Sequence, residues 1–267
     1  MTKIKHDKIT TYFYLVFILT TVISYIYFTP TEWQFSTDDA YYISSAESLL
    51  TKSEYTHNRM PNLMVYPVTS IFISAIFYIF GKNFQILHLT FVLLSIINLW
   101  IIFKVIRNYH PLNITLLIVS LLCINHFYLM ILYTIRSEQL FIFLTFSSML
   151  SWRKYQASKH DCWLWLTLIL CALSPLVRFQ GLFICAAFFT AYIASTHPIK
   201  SILLTKNLSK LLFIISLTLL PFILWTWRNY VSYTPLTYNA SLNYFFKIPG
   251  LQHYASSPQE LNESALH

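Results

Sequence analysis

Eight apolar runs, roughly residues 12–29, 65–80, 85–106, 112–133, 138–152, 162–177, 181–196 and 209–227, constrain this chain more than any other feature. Several approach the roughly 20 residues that carry a helix across the hydrocarbon of a bilayer. The chain is 56% hydrophobic and only 10% charged, too few charges to cover a soluble domain of 267 residues. The expected fold class is therefore all-α: a single polytopic membrane helical bundle over residues 1–267.

Basic residues punctuate the runs. Lys3, Lys5 and Lys8 precede the first, Lys104 and Arg107 follow the third, Arg153, Lys154 and Lys159 follow the fifth, and Lys200, Lys206 and Lys210 precede the last. The net charge of +8 at first suggests nucleic acid. In a membrane protein it marks cytoplasmic loops instead, so no nucleic acid partner is expected. If every run crosses, three of the four clusters fall outside. If 65–80 does not cross, all four fall inside, as the positive-inside rule requires. Val65–Phe80 is also too short, at about 24 Å of helix, for a core of about 30 Å. It carries Tyr66, Ser70, Ser74 and Tyr78 at i, i+4 spacing, a polar stripe suited to the membrane surface.

The expected organisation is one uncleaved anchor with its basic end inside, a first outer loop over 30–84, and six further crossings. Seven crossings leave the tail from 228 to 267 outside. The outer loop holds two interfacial helices. The first runs from about Asp38 to Leu50, with Tyr42, Ile43, Ala46, Leu49 and Leu50 as its apolar stripe and Thr37 or Ser36 as cap. Cys123, Cys162, Cys171 and Cys185 lie in or beside apolar runs without ligand spacing and read as small core residues. The histidines share no metal-ligand spacing. Asn239 and Asn262 begin glycosylation tripeptides on the outer side.

This topology gathers charge at one face. Asp38 and Asp39, two of ten acidic residues, open the first interfacial helix. Arg136 with Glu138, Arg178, and Arg228 with Asn229 occupy the other outer loops. Each has a bland role: acids in a first turn stabilise the helix dipole, Arg178 can snorkel, and Arg228 can anchor at the interface. Each also has a chemical one. Carboxylates serve as general bases, and guanidinium forks match phosphate oxygens.

The ordered segments "DDAYY", "VYPVTSIFISAIFYIFGKN", "YTIRSEQLF", "LSPLVRFQGLF" and "PFILWTWRNYVSYTPLTYNASLNYF" resemble the GT-C glycosyltransferases of the protein mannosyltransferase and aminoarabinose transferase type, glycosyltransferase family 39-like. The resemblance covers nearly the whole chain. It implies a GT-C-like bundle and a polyprenyl-phosphate-linked sugar as donor, used on the outer face by an inverting mechanism. It implies Asp38 as catalytic carboxylate, with Asp39 beside it and Glu138 as a second outer-loop acid. Arg178 corresponds to a donor-phosphate segment, and Arg136 and Arg228 join it as candidate phosphate ligands. No organic cofactor is implied; a divalent metal is compatible with the doublet. The acceptor is left open, membrane lipid is a partner, and the bacterial inner membrane with a periplasmic active face is the expected location. Family members usually continue with further membrane helices, so a fragment, a minimal member or a degenerate copy is expected. The competing class is a non-catalytic transporter, flippase or scaffold. Such proteins favour helices broken by glycine or proline and polar groups near the midplane; this chain has 3 glycines, and its polar residues gather at one face.

The topology is testable by cysteine labelling. A cysteine at Lys82 is expected to react with an impermeant thiol reagent in intact cells. Labelling only after permeabilisation contradicts the scheme.

Overall fold

The computed structural model describes residues 2–32, 37–57, 60–63, 65–196 and 205–232. It is helical apart from one short hairpin. The elements are α1 (Thr2–Tyr27), α2 (Thr37–Lys52), β1 (Thr56–His57), β2 (Met60–Pro61), α3 (Pro67–Phe80), α4 (Phe84–Arg107), α5 (Leu112–Cys123), α6 (His126–Tyr133), α7 (Ser137–Ser158), α8 (Asp161–Leu173), α9 (Gly181–Thr196) and α10 (Thr205–Val231). One turn of 3-10 helix, Ser174–Leu176, follows α8. β1 and β2 pair antiparallel, Thr56 opposite Pro61 and His57 opposite Met60.

Local chemistry sets the boundaries. Pro67 opens α3, where its missing N–H costs nothing, and Gly81 at φ +71° ends it. The Asn83 side chain caps α4 by accepting from the Ile86 amide at 3.1 Å. Asn125 does the same for α6 through the Tyr128 amide at 3.2 Å. That second cap splits the run 112–133, expected as one crossing, into α5 and α6, bent by 59°. Lys159, left-handed at φ 54°, closes α7.

Among the described residues, α4 and Leu211–Val231 of α10 are each long and apolar enough to cross a bilayer, and α5 with α6 qualifies as a bent pair. This is fewer than the expected seven crossings. Thr11–Tyr27, Asp161–Leu176 and Gly181–Ser195 are apolar but short, and α7 is polar at both ends. α3 is likewise short. Its predicted polar stripe does not hold to one environment: Ser70 is buried beside the Tyr55 hydroxyl at 3.4 Å, while Tyr78 is exposed. Four residues per step drift around a helix of 3.6 per turn, which separates the two ends of such a stripe. On α2 the predicted apolar face holds for Tyr42, Ile43 and Ala46, which are buried, but Leu50 is exposed. The expected capping residue Ser36 and the tripeptides at Asn239 and Asn262 lie outside the described residues.

Four apolar clusters hold the elements together. In the first, Tyr42, Ile43 and Ala46 of α2 pack with Ile73, Ile76 and Phe77 of α3, Leu87 and Phe91 of α4, and Ile135. In the second, Trp152 on α7 meets Phe188 and Tyr192 on α9. The third joins α1 to α4, α5 and α6, where the Tyr25 hydroxyl donates to the Cys123 carbonyl. At the other end of α1, Thr11 donates to Asn113 at 3.2 Å. The fourth places Val68 and Phe72 of α3 against Leu94, Leu140, Leu170 and Val177.

Register along α4 shows what the short helices produce. Asn98 donates from Nδ2 to the Gln139 carbonyl at 2.9 Å and to its Oε1 at 3.0 Å. Asn98 lies about 21 Å along α4 from Phe84, at 1.5 Å of rise per residue. The start of α7 is therefore recessed well below the start of α4, and α3 rests above it through Val68 and Phe72. Arg153 of α7 stacks over Tyr109 at 5.2 Å, so the α4–α5 and α7–α8 turns, each with its basic cluster, meet at the opposite end.

Asn98 and Gln139 are both fully buried. Replacing Asn98 by Ala leaves Gln139 Oε1 without this donor. A loss of about 1 kcal/mol is expected in unfolding from detergent, within the range for interhelical hydrogen bonds in membranes. Unchanged unfolding would show that this pair does not fix the α4–α7 register.

Candidate functional site

The recess is closed by a tight turn between α8 and α9. The Arg178 amide donates to the Ser174 carbonyl at 3.1 Å, and the Gly181 amide donates to the Arg178 carbonyl at 2.8 Å. The Ser174 hydroxyl donates to the Cys171 carbonyl at 2.9 Å. A Cβ at Gly181 would stand 2.2 Å from the Ser174 carbonyl carbon, so glycine alone lets α9 begin this close to the 3-10 turn. Val177 is buried in the fourth cluster, which leaves Arg178 turned out of it.

Arg178 reaches the first turn of α7. Its Nη1 lies 2.8 Å from Glu138 Oε1 and donates to the Ser137 hydroxyl at 3.0 Å. Among the described residues Nε and Nη2 make no bond, so one edge of the guanidinium fork is open to an anion. The first turn of α7 has no side-chain cap. Its free amides and the half-buried Arg136 just before it add positive potential to the same spot. Glu138 and Arg178, picked out from two separate stretches of the sequence, thus form one ion pair, with Arg136 two residues before Glu138.

The doublet lies in the first turn of α2. Asp39 is fully buried, whereas Asp38 is partly exposed. Of the two, Asp38 is the more accessible carboxylate. Tyr42 and Ile43 stand one turn along α2 from Asp38 and Asp39. They share a buried cluster with Ile135, three residues before Glu138. α2 and the loop that begins α7 are therefore anchored in the same core.

Arg228 belongs to a different structure. Its Nη1 donates to the Asn62 carbonyl at 3.1 Å and to Asn229 Oδ1 at 3.0 Å, and its Nη2 donates to the Tyr55 carbonyl at 3.0 Å. The guanidinium also lies over the rings of Trp225 and Tyr55, at 5.0 and 5.7 Å. The Tyr55 hydroxyl donates to the Val65 and Tyr66 carbonyls at 3.1 and 3.2 Å. Burial pushes that hydroxyl above its ordinary pKa, so it stays a donor. His57 stacks on Tyr41 at 4.5 Å, and burial pushes its pKa down, which favours the neutral ring.

Sequence reasoning missed Ser137 as the partner of Arg178, Gly181 as the residue that closes the turn, and Tyr55 and Asn62 as partners of Arg228. Gly181 left a signal, being one of 3 glycines in the chain. The carbonyl partners left none. Among the described residues no three of His, Cys, Asp and Glu gather to hold a metal.

Residues 61–225 match the model of a family described as dolichyl-phosphate-mannose-protein mannosyltransferase. No curated protein and no solved structure matches. The matched stretch contains Arg136, Glu138, Arg178 and Gly181; the doublet lies before it and Arg228 after it.

Gly181→Ala must push α9 away from Ser174. A cost of about 1–3 kcal/mol, typical of overpacking, is expected in unfolding measurements. Wild-type stability in Gly181→Ala would contradict the close approach that aims Arg178.

Proposed function

The chain belongs to the dolichyl-phosphate-mannose-protein mannosyltransferase family, whose model matches more than half its length, and from that premise we propose that it transfers a sugar from a polyprenyl-phosphate donor to an acceptor on the outer face of the membrane. The family makes it a membrane glycosyltransferase of GT-C type with a lipid-linked donor in general. The finer reading has seven crossings, an inverting reaction and, in a bacterial cell, an active face towards the periplasm.

In this reading Asp38 is the general base. As the acceptor hydroxyl or amine attacks the anomeric carbon, Asp38 takes its proton. The bond from that carbon to the phosphate oxygen breaks, and its electron pair stays on the phosphate. A phosphate is a competent leaving group, so no strong acid is needed. It does need cations where charge develops, and Arg178 with Arg136 supplies them. Glu138 and Ser137 hold Arg178 by one edge, which keeps the other aimed and lowers the reorganisation required on binding. Asp39, buried one residue along, orients the first turn of α2. The single observation that carries the reading is the half-engaged guanidinium of Arg178 in the recess beside the uncapped first turn of α7.

Asp38→Asn keeps size and some hydrogen bonding but cannot accept a proton at neutral pH. In membranes supplied with a polyprenyl-phosphate sugar, its transfer rate is expected to fall by about 10²–10⁴ with donor binding retained, the usual cost of losing a general base. Asp39→Asn should lose less. A dead Asp39→Asn beside a wild-type Asp38→Asn would move the base to the other carboxylate. Full activity in both would end the catalytic role of the doublet.

A further inference from the structure

The contacts of Arg228 lie outside the chemistry proposed above. Asn62 and Tyr55 flank the β1–β2 hairpin of the first outer loop, and Arg228 stands in the last turn of α10. The two carbonyls it bonds are far from it in sequence, and the hairpin sits against the helix that carries the doublet. Asn62 donates from Nδ2 to the Ser45 hydroxyl of α2 at 2.6 Å, and Thr56 bonds Ser48 of the same helix. Asn62 therefore faces two ways: its side chain holds α2 and its carbonyl accepts from Arg228. A rigid path leads from α10 through Asn62 to α2.

A charge at a helix C-terminus is favourable for any cation. Only a planar fork, however, can bond two carbonyls from adjacent nitrogens while keeping its charge within cation–π reach of two aromatic rings set nearly at right angles. Lysine satisfies the helix dipole but not this geometry, which separates the two roles experimentally. Three of the guanidinium's donor bonds are already spent, two of them on main chain. Arg178, by contrast, spends one nitrogen on side chains.

We propose that Arg228 is a positioning residue: a strap from α10 that holds the hairpin, and through it α2 and Asp38, in register over the recess, and that it is not a ligand of the donor phosphate. The role of Asp38 in this statement rests on the transferase reading above; the strap itself does not.

The test uses the full chain in detergent or proteoliposomes, with Arg228→Lys as the main variant and Trp225→Leu as a second that keeps the cation but removes a stacking face. Hydrogen exchange over residues 53–66 is expected to accelerate at least about tenfold in Arg228→Lys and less in Trp225→Leu, with α4 and α7 unchanged, because local opening is governed by the contacts that hold a segment. Farnesyl phosphate, as a probe of the phosphate site, should bind within about threefold of wild type, since no phosphate contact is lost. In transfer assays kcat should fall with the donor KM nearly constant, as for a residue acting on the base and not on donor affinity. Unchanged exchange in Arg228→Lys overturns the strap, and a tenfold loss of farnesyl phosphate binding with unchanged exchange makes Arg228 a phosphate ligand instead. Faster exchange with no transfer by the wild-type chain keeps the strap and removes the transferase reading.

Discussion

Arg178 is a cation set into a recess of an apolar bundle, and the structure around it depends on keeping it there. A guanidinium drawn partly out of water is costly unless its charge and donors are matched. Glu138 matches the charge and Ser137 takes a donor, both from the first turn of α7. The backbone that presents Arg178 needs α9 to start in contact with the 3-10 turn, which a side chain at position 181 would forbid. One ion pair thus links the turn after α8, the identity of Gly181 and the recessed start of α7.

The recess also explains the outer loop. Helices α7, α8 and α9 stop short of the level reached by α4, and the space above them is filled by α3 and, beside it, α2. Packing apolar residues from a loop onto the tops of short helices makes a floor and a roof from separate parts of the chain. In the proposed reaction the floor supplies cations for a departing phosphate and the roof supplies the base. Such a division works only if the roof stays in register. The contacts of Asn62 with both Ser45 and Arg228 serve that end.

Much of this was legible in the sequence. Apolar runs and their basic punctuation gave an all-α membrane chain, and the amphipathic pattern located α2 and α3 to within a few residues. The grouping of Glu138 with Arg178 followed from topology, because loops assigned to one face must meet there. Other features left little sequence-level trace. The bend at Asn125 interrupts a run that is apolar on both sides, and only a side-chain cap marks it. The number of crossings was read from hydropathy, which cannot distinguish a full span from a short helix ending at a recess. The carbonyls of Asn62 and Tyr55 that Arg228 bonds are likewise absent from the sequence, which shows the charge alone.

The central claim is that the doublet and the Arg178 recess form one cleft. It is tested most directly by paired-cysteine cross-linking in native membranes, with Cys placed at Asp38 and at Arg136 and bridged by a short bifunctional maleimide. Glu47 and Lys82, which form an ion pair between α2 and the loop after α3, provide the positive control. Cross-linking of the Asp38–Arg136 pair as fast as the control is the predicted result. A control that cross-links while the Asp38–Arg136 pair does not would place the carboxylates and the cations in separate sites.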